Sequence, residues 1–235
     1  MAVNIDTVYQ RVLAIANKEQ RGYITPQEFN LYANQVQMAI FEQYFYDRNQ
    51  FGRLPGNDTT YSDMVDLLEE KIDIFEKFRQ NITSLSAAGV GTFPTHYRMG
   101  EVYYNQNGGW VEIEKIDQNQ IHHIQNSPLT APTLTRPCYV QLTELTFQTY
   151  PTIVVTADIK CNYIARPTTV EWAYTTVLDE PLYNANNSTS FQLHESEETD
   201  LVIKILELAG VEIKDPQLYQ VAATEEAQKT QQEKQ

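Results

Sequence analysis

The sequence predicts an α+β protein with helices at both ends and a mainly antiparallel β-domain between them. Three observations carry this. Apolar residues recur at helical spacing through roughly the first eighty positions. From about Thr83 the period changes to alternation, with an Asn-Gly pair between strand-like arms. Beyond Ser196 helical spacing returns and then gives way to a polar tail. The expected divisions are a helical region at 1–82, a β-rich domain at 83–180, a C-terminal helical segment at 181–223 and a flexible tail at 224–235.

Asp6 is placed to cap a first helix in which Val8, Val12, Ile15 and Ala16 share one face. The next segment, Asn17 to Glu28, has the frame of an EF-hand loop, with Gly22 at the sixth position and Glu28 at the twelfth. Its chemistry is wrong for calcium, because Arg21 replaces an oxygen ligand and only Glu19 and Glu28 offer carboxylates. Thr25-Pro26-Gln27-Glu28 is instead a capping box with proline in the first helical position. Gly22 then serves as the left-handed residue closing the preceding helix. A helical hairpin is the reading, and a degenerate calcium-binding module is the alternative.

The second helix runs from Pro26 to about Asp47, with Phe29, Ala33, Val36, Ile40 and Tyr44 at helical spacing. Met38, Phe41 and Phe45 add a second apolar edge, as in a helix packed on two sides. After a loop rich in Gly and Pro, the series Tyr61, Met64, Val65, Leu68, Ile72, Phe75 and Phe78 describes a third helix.

In the middle, Val102 to Tyr104 leads through Asn107-Gly108-Gly109 into one strand from Trp110 to Ile116. A short helix at Asp117 to Gln125 and a connection with three prolines follow. Tyr139 to Thr149 and Thr152 to Ile164 read as two further strands, and Trp172 to Leu178 as a last strand or extended arm. Near the end, Ser196 is expected to cap a helix opening on Glu197 and Glu198 and stopping at Gly210, and Asp215-Pro216 to start another.

The 17 basic residues against 31 acidic ones disfavour recognition of nucleic acid by clustered Lys and Arg. Like charge does suit a surface that DNA slides past without sticking. No apolar run is long enough to cross a membrane, and the N-terminus has no secretory pattern. Cys138 and Cys161 read as buried reduced thiols. Phosphate loops, a nucleophile elbow and zinc motifs are missing from the sequence, and adjacent His122 and His123 are a poor metal pair. No catalytic residue, metal ligand or cofactor is therefore expected. A hydrolase would need a role for residues such as Glu112 or Glu114. The 15 tyrosines suit contact surfaces between proteins.

Three stretches, VYQRVLAIANKEQRGYITPQEFNLYANQVQMAIFEQYFYD, NYIARPTTVEWAY and FQLHESEETDLVIKILELAGVEIKDP, together resemble a family of virion structural proteins of podovirus-like tailed bacteriophages. The family includes gut crAss-like phages and marine phages of Bacteroidetes. The resemblance spans most of the chain and implies a head–tail connector (adaptor or ring) beneath the portal. It implies a homo-oligomeric ring of about twelve copies, contacts with portal and tail proteins, and proximity to packaged DNA. Assembly would occur in the host cytoplasm, and other tail or capsid-associated roles are the alternatives. Interface candidates are Met38, Phe41 and Phe45 on the second helix, an arm at Tyr163, Arg166 and Pro167, and the last helix with Pro216 and Tyr219. For each, packing within the chain is the competing explanation.

Overall fold

A computed structural model of the chain describes residues 3–18, 24–51, 64–106, 108–155, 158–178 and 180–212. It is an α+β protein with helices first, sheets in the middle and a helix near the end. The chain divides into two compact units. A helical unit comprises Met1–Ile74 and Pro167–Gln235, and a β unit comprises Phe75–Arg166. The change from helix to strand thus falls near residue 75, ahead of the expected 83. The expected end of the β-rich region at 180 also moves, because residues from Pro167 onward join the helices.

In the helical unit, α1 (Ile5–Lys18) starts from Asn4, not Asp6. The Asn4 side-chain oxygen accepts from the amides of Asp6 (2.8 Å) and Thr7 (3.3 Å), occupying two first-turn donors. Its buried face is Ile5, Val8, Tyr9, Val12 and Ala16, whereas Ile15 is exposed. Next comes α2 (Pro26–Phe51), which buries Phe29, Ala33, Val36, Ile40 and Tyr44 as their spacing predicts. The third helix, α3 (Met64–Asp73), ends before Phe75. Gly22 and the helix expected from Pro216 lie outside the described residues.

At the other end, His194 and not Ser196 makes the cap. Its ring nitrogen accepts from the Ser196 amide at the start of a 3-10 turn, Glu195–Glu197, which leads into α5 (Glu198–Glu212). The helix continues through Gly210, so that glycine is not a stop. Helix α2 packs against α3 and α5, and α1 against α5.

The β unit has two sheets. One contains β1 (Glu76–Asn81), β4 (Arg98–Gln106), β5 (Gly109–Glu112) and β9 (Ile159–Ile164) in the order β1-β9-β4-β5. The other contains β2 (Ser84–Leu85), β3 (Val90–Thr92), β6 (Glu114–Ile116), β7 (Cys138–Gln141) and β8 (Thr146–Tyr150) in the order β2-β3-β8-β7-β6. Pairing is antiparallel except between β6 and β7. Val102, Ile159 and Cys161 from the first sheet pack with Phe93, Tyr139 and Phe147 around one core. On the far side of the second sheet, the short helix α4 (Ile121–Asn126) contributes Ile121 to a smaller cluster with Ile116, Cys138 and Val140.

The run Trp110–Ile116, expected as one strand, is divided between the sheets. Its break is Ile113, fully buried, whose amide donates to the Val102 carbonyl at 2.7 Å. One residue later Glu114 turns to the other sheet, its amide donating to Pro137. A buried apolar corner of this kind lets one chain segment serve both layers. The expected Asn-Gly hairpin is present as the β4–β5 connection, with Gly108 at φ 89°.

Gly91 on β3 lies opposite Phe147, and a Cβ added there would come within 2.4 Å of the Phe147 ring. That ring is fully buried and stacked on Phe93 at 4.0 Å between centroids, so it has little room to retreat. Gly91→Ala is expected to cost about 1–3 kcal/mol by overpacking. Denaturation followed through Trp110, the tryptophan of the β unit, would show this as a lowered midpoint.

Candidate interaction surfaces

The capping box expected at Thr25 is formed. The Thr25 amide donates to Glu28 Oε2 (2.9 Å), the Thr25 hydroxyl donates to the same oxygen (2.7 Å), and the Glu28 amide donates to Thr25 Oγ1 (3.3 Å). The Thr25 hydroxyl, and after it the Thr25 amide, hold the Glu28 carboxyl below its ordinary range. A bidentate calcium ligand needs both oxygens, and one is already committed. Because the folded carboxyl is the more acidic, its stabilisation is present above the unfolded pKa and is lost as pH falls through the folded value. Glu28→Ala is expected to cost about 1 kcal/mol at neutral pH. Parallel denaturation of both proteins should show the gap closing in acid.

Helix α2 carries a polar row beside its apolar one. Asn30, Asn34 and Gln37, spaced by four and three residues, bond to the backbone of an extended strap. Asn30 Oδ1 accepts from the Trp172 amide (2.8 Å) while its Nδ2 donates to the Trp172 carbonyl (3.3 Å). Asn34 repeats this on Val170, accepting at 2.9 Å and donating at 2.9 Å. Gln37 donates to the Thr168 carbonyl (2.8 Å) and accepts from the Gln192 amide (3.1 Å). A carboxamide offers one acceptor and two donors, so each can pair with both backbone groups of one residue as a neighbouring strand would. The strap advances two residues for each helical turn and stays in step.

This strap also seats Trp172. The indole is buried, lies 4.4 Å from Tyr9 between ring centroids, and donates from Nε1 to Asp6 Oδ1 at 2.9 Å. Asp6, expected as a helix cap, is instead the acceptor for this tryptophan. Beyond it, β10 (Tyr174–Val177) and β11 (Glu180–Tyr183) form a separate two-stranded hairpin. The segment Trp172 to Leu178, expected as a last strand or an extended arm, thus belongs to the helical unit.

Among the candidate contact residues, Phe41 is internal and the other described ones keep some exposure. Phe41 is fully buried and meets Phe45 edge-on at 5.1 Å, and Met38 and Phe45 are half-buried. The middle of the second apolar edge of α2 is therefore core, with Met38 and Phe45 at its margin. Tyr163 is no free arm either: it sits in β9, paired with Lys77 on one side and Met99 on the other, and packs against the central cluster. Arg166 is exposed at the end of the β unit, and Pro167 is half-buried at the start of the strap. Pro216 and Tyr219 lie outside the described residues.

Burial pushes the thiols of Cys138 and Cys161 up to about 11, so they are protonated and unreactive near neutrality. His122 and His123 are both exposed on α4. An open groove bounded by Lys115–Gln120 and Gln141–Thr143 includes the amides of Gln118, Asn119, Gln120 and Gln141, with Lys115 and Gln118 bonded to Gln141 across it at 2.6 Å each.

Two surfaces stand out. One is the end of the β10–β11 hairpin, where Val177, Leu178 and Leu182 are 50%, 95% and 60% exposed. The other is the outward face of the β1-β9-β4-β5 sheet. There the Arg79 guanidinium lies 5.0 Å from the Phe78 ring and 5.6 Å from Trp110, and Lys160 Nζ lies 5.2 Å from Trp110. Phe78, expected on a helix, is a 66% exposed residue of edge strand β1.

Charge is divided unequally. The β unit contains 7 basic and 7 acidic residues, leaving 10 basic and 24 acidic residues, the whole −14, to the helical unit. No protein-family model matches this chain, and no curated protein is similar to it in sequence.

Proposed function

We propose that this chain is a structural protein of a tailed-phage virion. Its most specific station is a head-to-tail connector subunit in a ring below the portal, continuing the DNA channel and docking the tail. The resemblance of the three quoted stretches supports the class. The observation that supports the station is the separation of charge: an acidic helical unit suits a DNA path, and a neutral β unit suits contacts with neighbours. Exposed apolar groups on the hairpin and on β1 are the kind of surface that assembly covers. No helix among the described residues is long and apolar enough to cross a membrane.

Cryo-EM of intact particles, with mass spectrometry of their proteins, tests the reading. The expected result is density for this chain as a ring between portal and tail, with its acidic residues toward the DNA. Particles lacking the chain overturn the class. A position elsewhere in the particle, or a basic bore, overturns the station.

A further inference from the structure

We infer that the β10–β11 hairpin of one copy docks on the Phe78–Arg79–Trp110–Lys160 face of a second copy, giving a head-to-tail contact. This rests on the reading of the chain as a ring subunit and names the contact that builds the ring.

The hairpin is firmly held at its base and bare at its tip. Tyr174 and Tyr183 stack on Trp172, at 5.9 and 5.5 Å between centroids, and the Asn184 amide donates to Ala173. At the turn, Leu178 has a left-handed backbone (φ 53°) and is 95% exposed. Both facts count against leucine there, since such turns favour Gly, Asn or Asp and water disfavours the bare side chain. A residue that violates its local preference marks a place where something else is selected. Covering the side chain on assembly supplies that gain.

The receiving face has the matching features. Among the described residues, the other non-glycine with a left-handed backbone is Arg79 (φ 48°). It lies where the β1–β9 register shifts, and its amide is held by Asn162 Oδ1 at 2.8 Å. The bulge brings its guanidinium over the two rings, and Lys160 approaches Trp110 as well. Glu112 shares this face and Glu101 receives the hydroxyl of Tyr103, while the cations beside Trp110 are Arg79 and Lys160. Among the described hairpin residues Glu180 is acidic and exposed, and none is basic. Leucine and valine thus meet aromatic rings, and the Glu180 carboxylate meets two cations. The two patches differ, so the contact is heterologous, and repeating it closes a ring or extends a filament.

Sedimentation velocity on the full chain tests this with two variants that suit their own backbones. Asparagine tolerates left-handed φ, so Leu178→Asn and Arg79→Asn should keep the fold, as circular dichroism would verify. Wild type is expected to associate with rising concentration. Each variant alone should lose at least about tenfold in association constant. An equimolar mixture should restore dimers and nothing larger, because one intact hairpin then meets one intact face. A wild type that stays monomeric, variants that associate like wild type, or a mixture that stays monomeric would each overturn the contact. None of these results removes the chain from the virion, which particle composition decides separately.

Discussion

Asn34→Leu is expected to destabilise the helical unit by about 2–5 kcal/mol. The side chain pairs with both backbone groups of Val170, itself buried, at 2.9 Å each. Leucine fills the space, keeps water out and leaves an amide and a carbonyl unpaired, at about 1–3 kcal/mol each. Its better helix propensity returns only about half a kcal/mol, so the loss dominates. Asn34→Asp separates the two bonds: it keeps the acceptor for the Val170 amide but sets a carboxylate against the carbonyl. Urea denaturation followed through Trp172 in a Trp110→Phe background would read both. A midpoint unchanged by Asn34→Leu would show that the strap needs no amide ladder.

Trp172→Ala should cost about 3–5 kcal/mol, the largest single effect anticipated. The indole is 2% exposed, packs on Tyr9, and supports Tyr174 and Tyr183 at the hairpin base. Truncation opens a cavity among aromatic groups and leaves Asp6 without its indole donor. Trp172→Phe keeps much of the packing and loses the hydrogen bond, so it should fall between wild type and alanine. Calorimetry would rank the three. Equal stability of the phenylalanine and alanine variants would mean that the Asp6 bond, and not the ring stack, holds the strap.

Much of the local architecture was legible. Thr25 and Glu28 announced their capping box, Gly108 its turn, and the Phe29–Tyr44 series the buried face of α2. The amide row Asn30, Asn34 and Gln37 was not read from the sequence, because its partners lie 131 to 155 residues away along the chain. Phe75 and Phe78 misled because a three-residue spacing fits a helix, whereas Phe78 sits on a bulged edge strand. Phe41 misled for another reason: an apolar residue looks the same in sequence whether it faces the core or a neighbour.

By itself, then, the sequence determined the α+β class, the start of α2 written in the Thr25–Glu28 capping box, and the tight turn. Each depends on hydrogen bonds closed within a few residues, so the local string contains all the parties. Only the tertiary structure decided that the strap after Pro167 returns to the helices, that Ile113 divides one apparent strand between two sheets, and that the entire net charge lies in one unit. It also decided which apolar groups remain outside, Leu178 and Phe78 instead of Phe41. Burial depends on which distant segments meet, and no short window of sequence holds both sides of that contact.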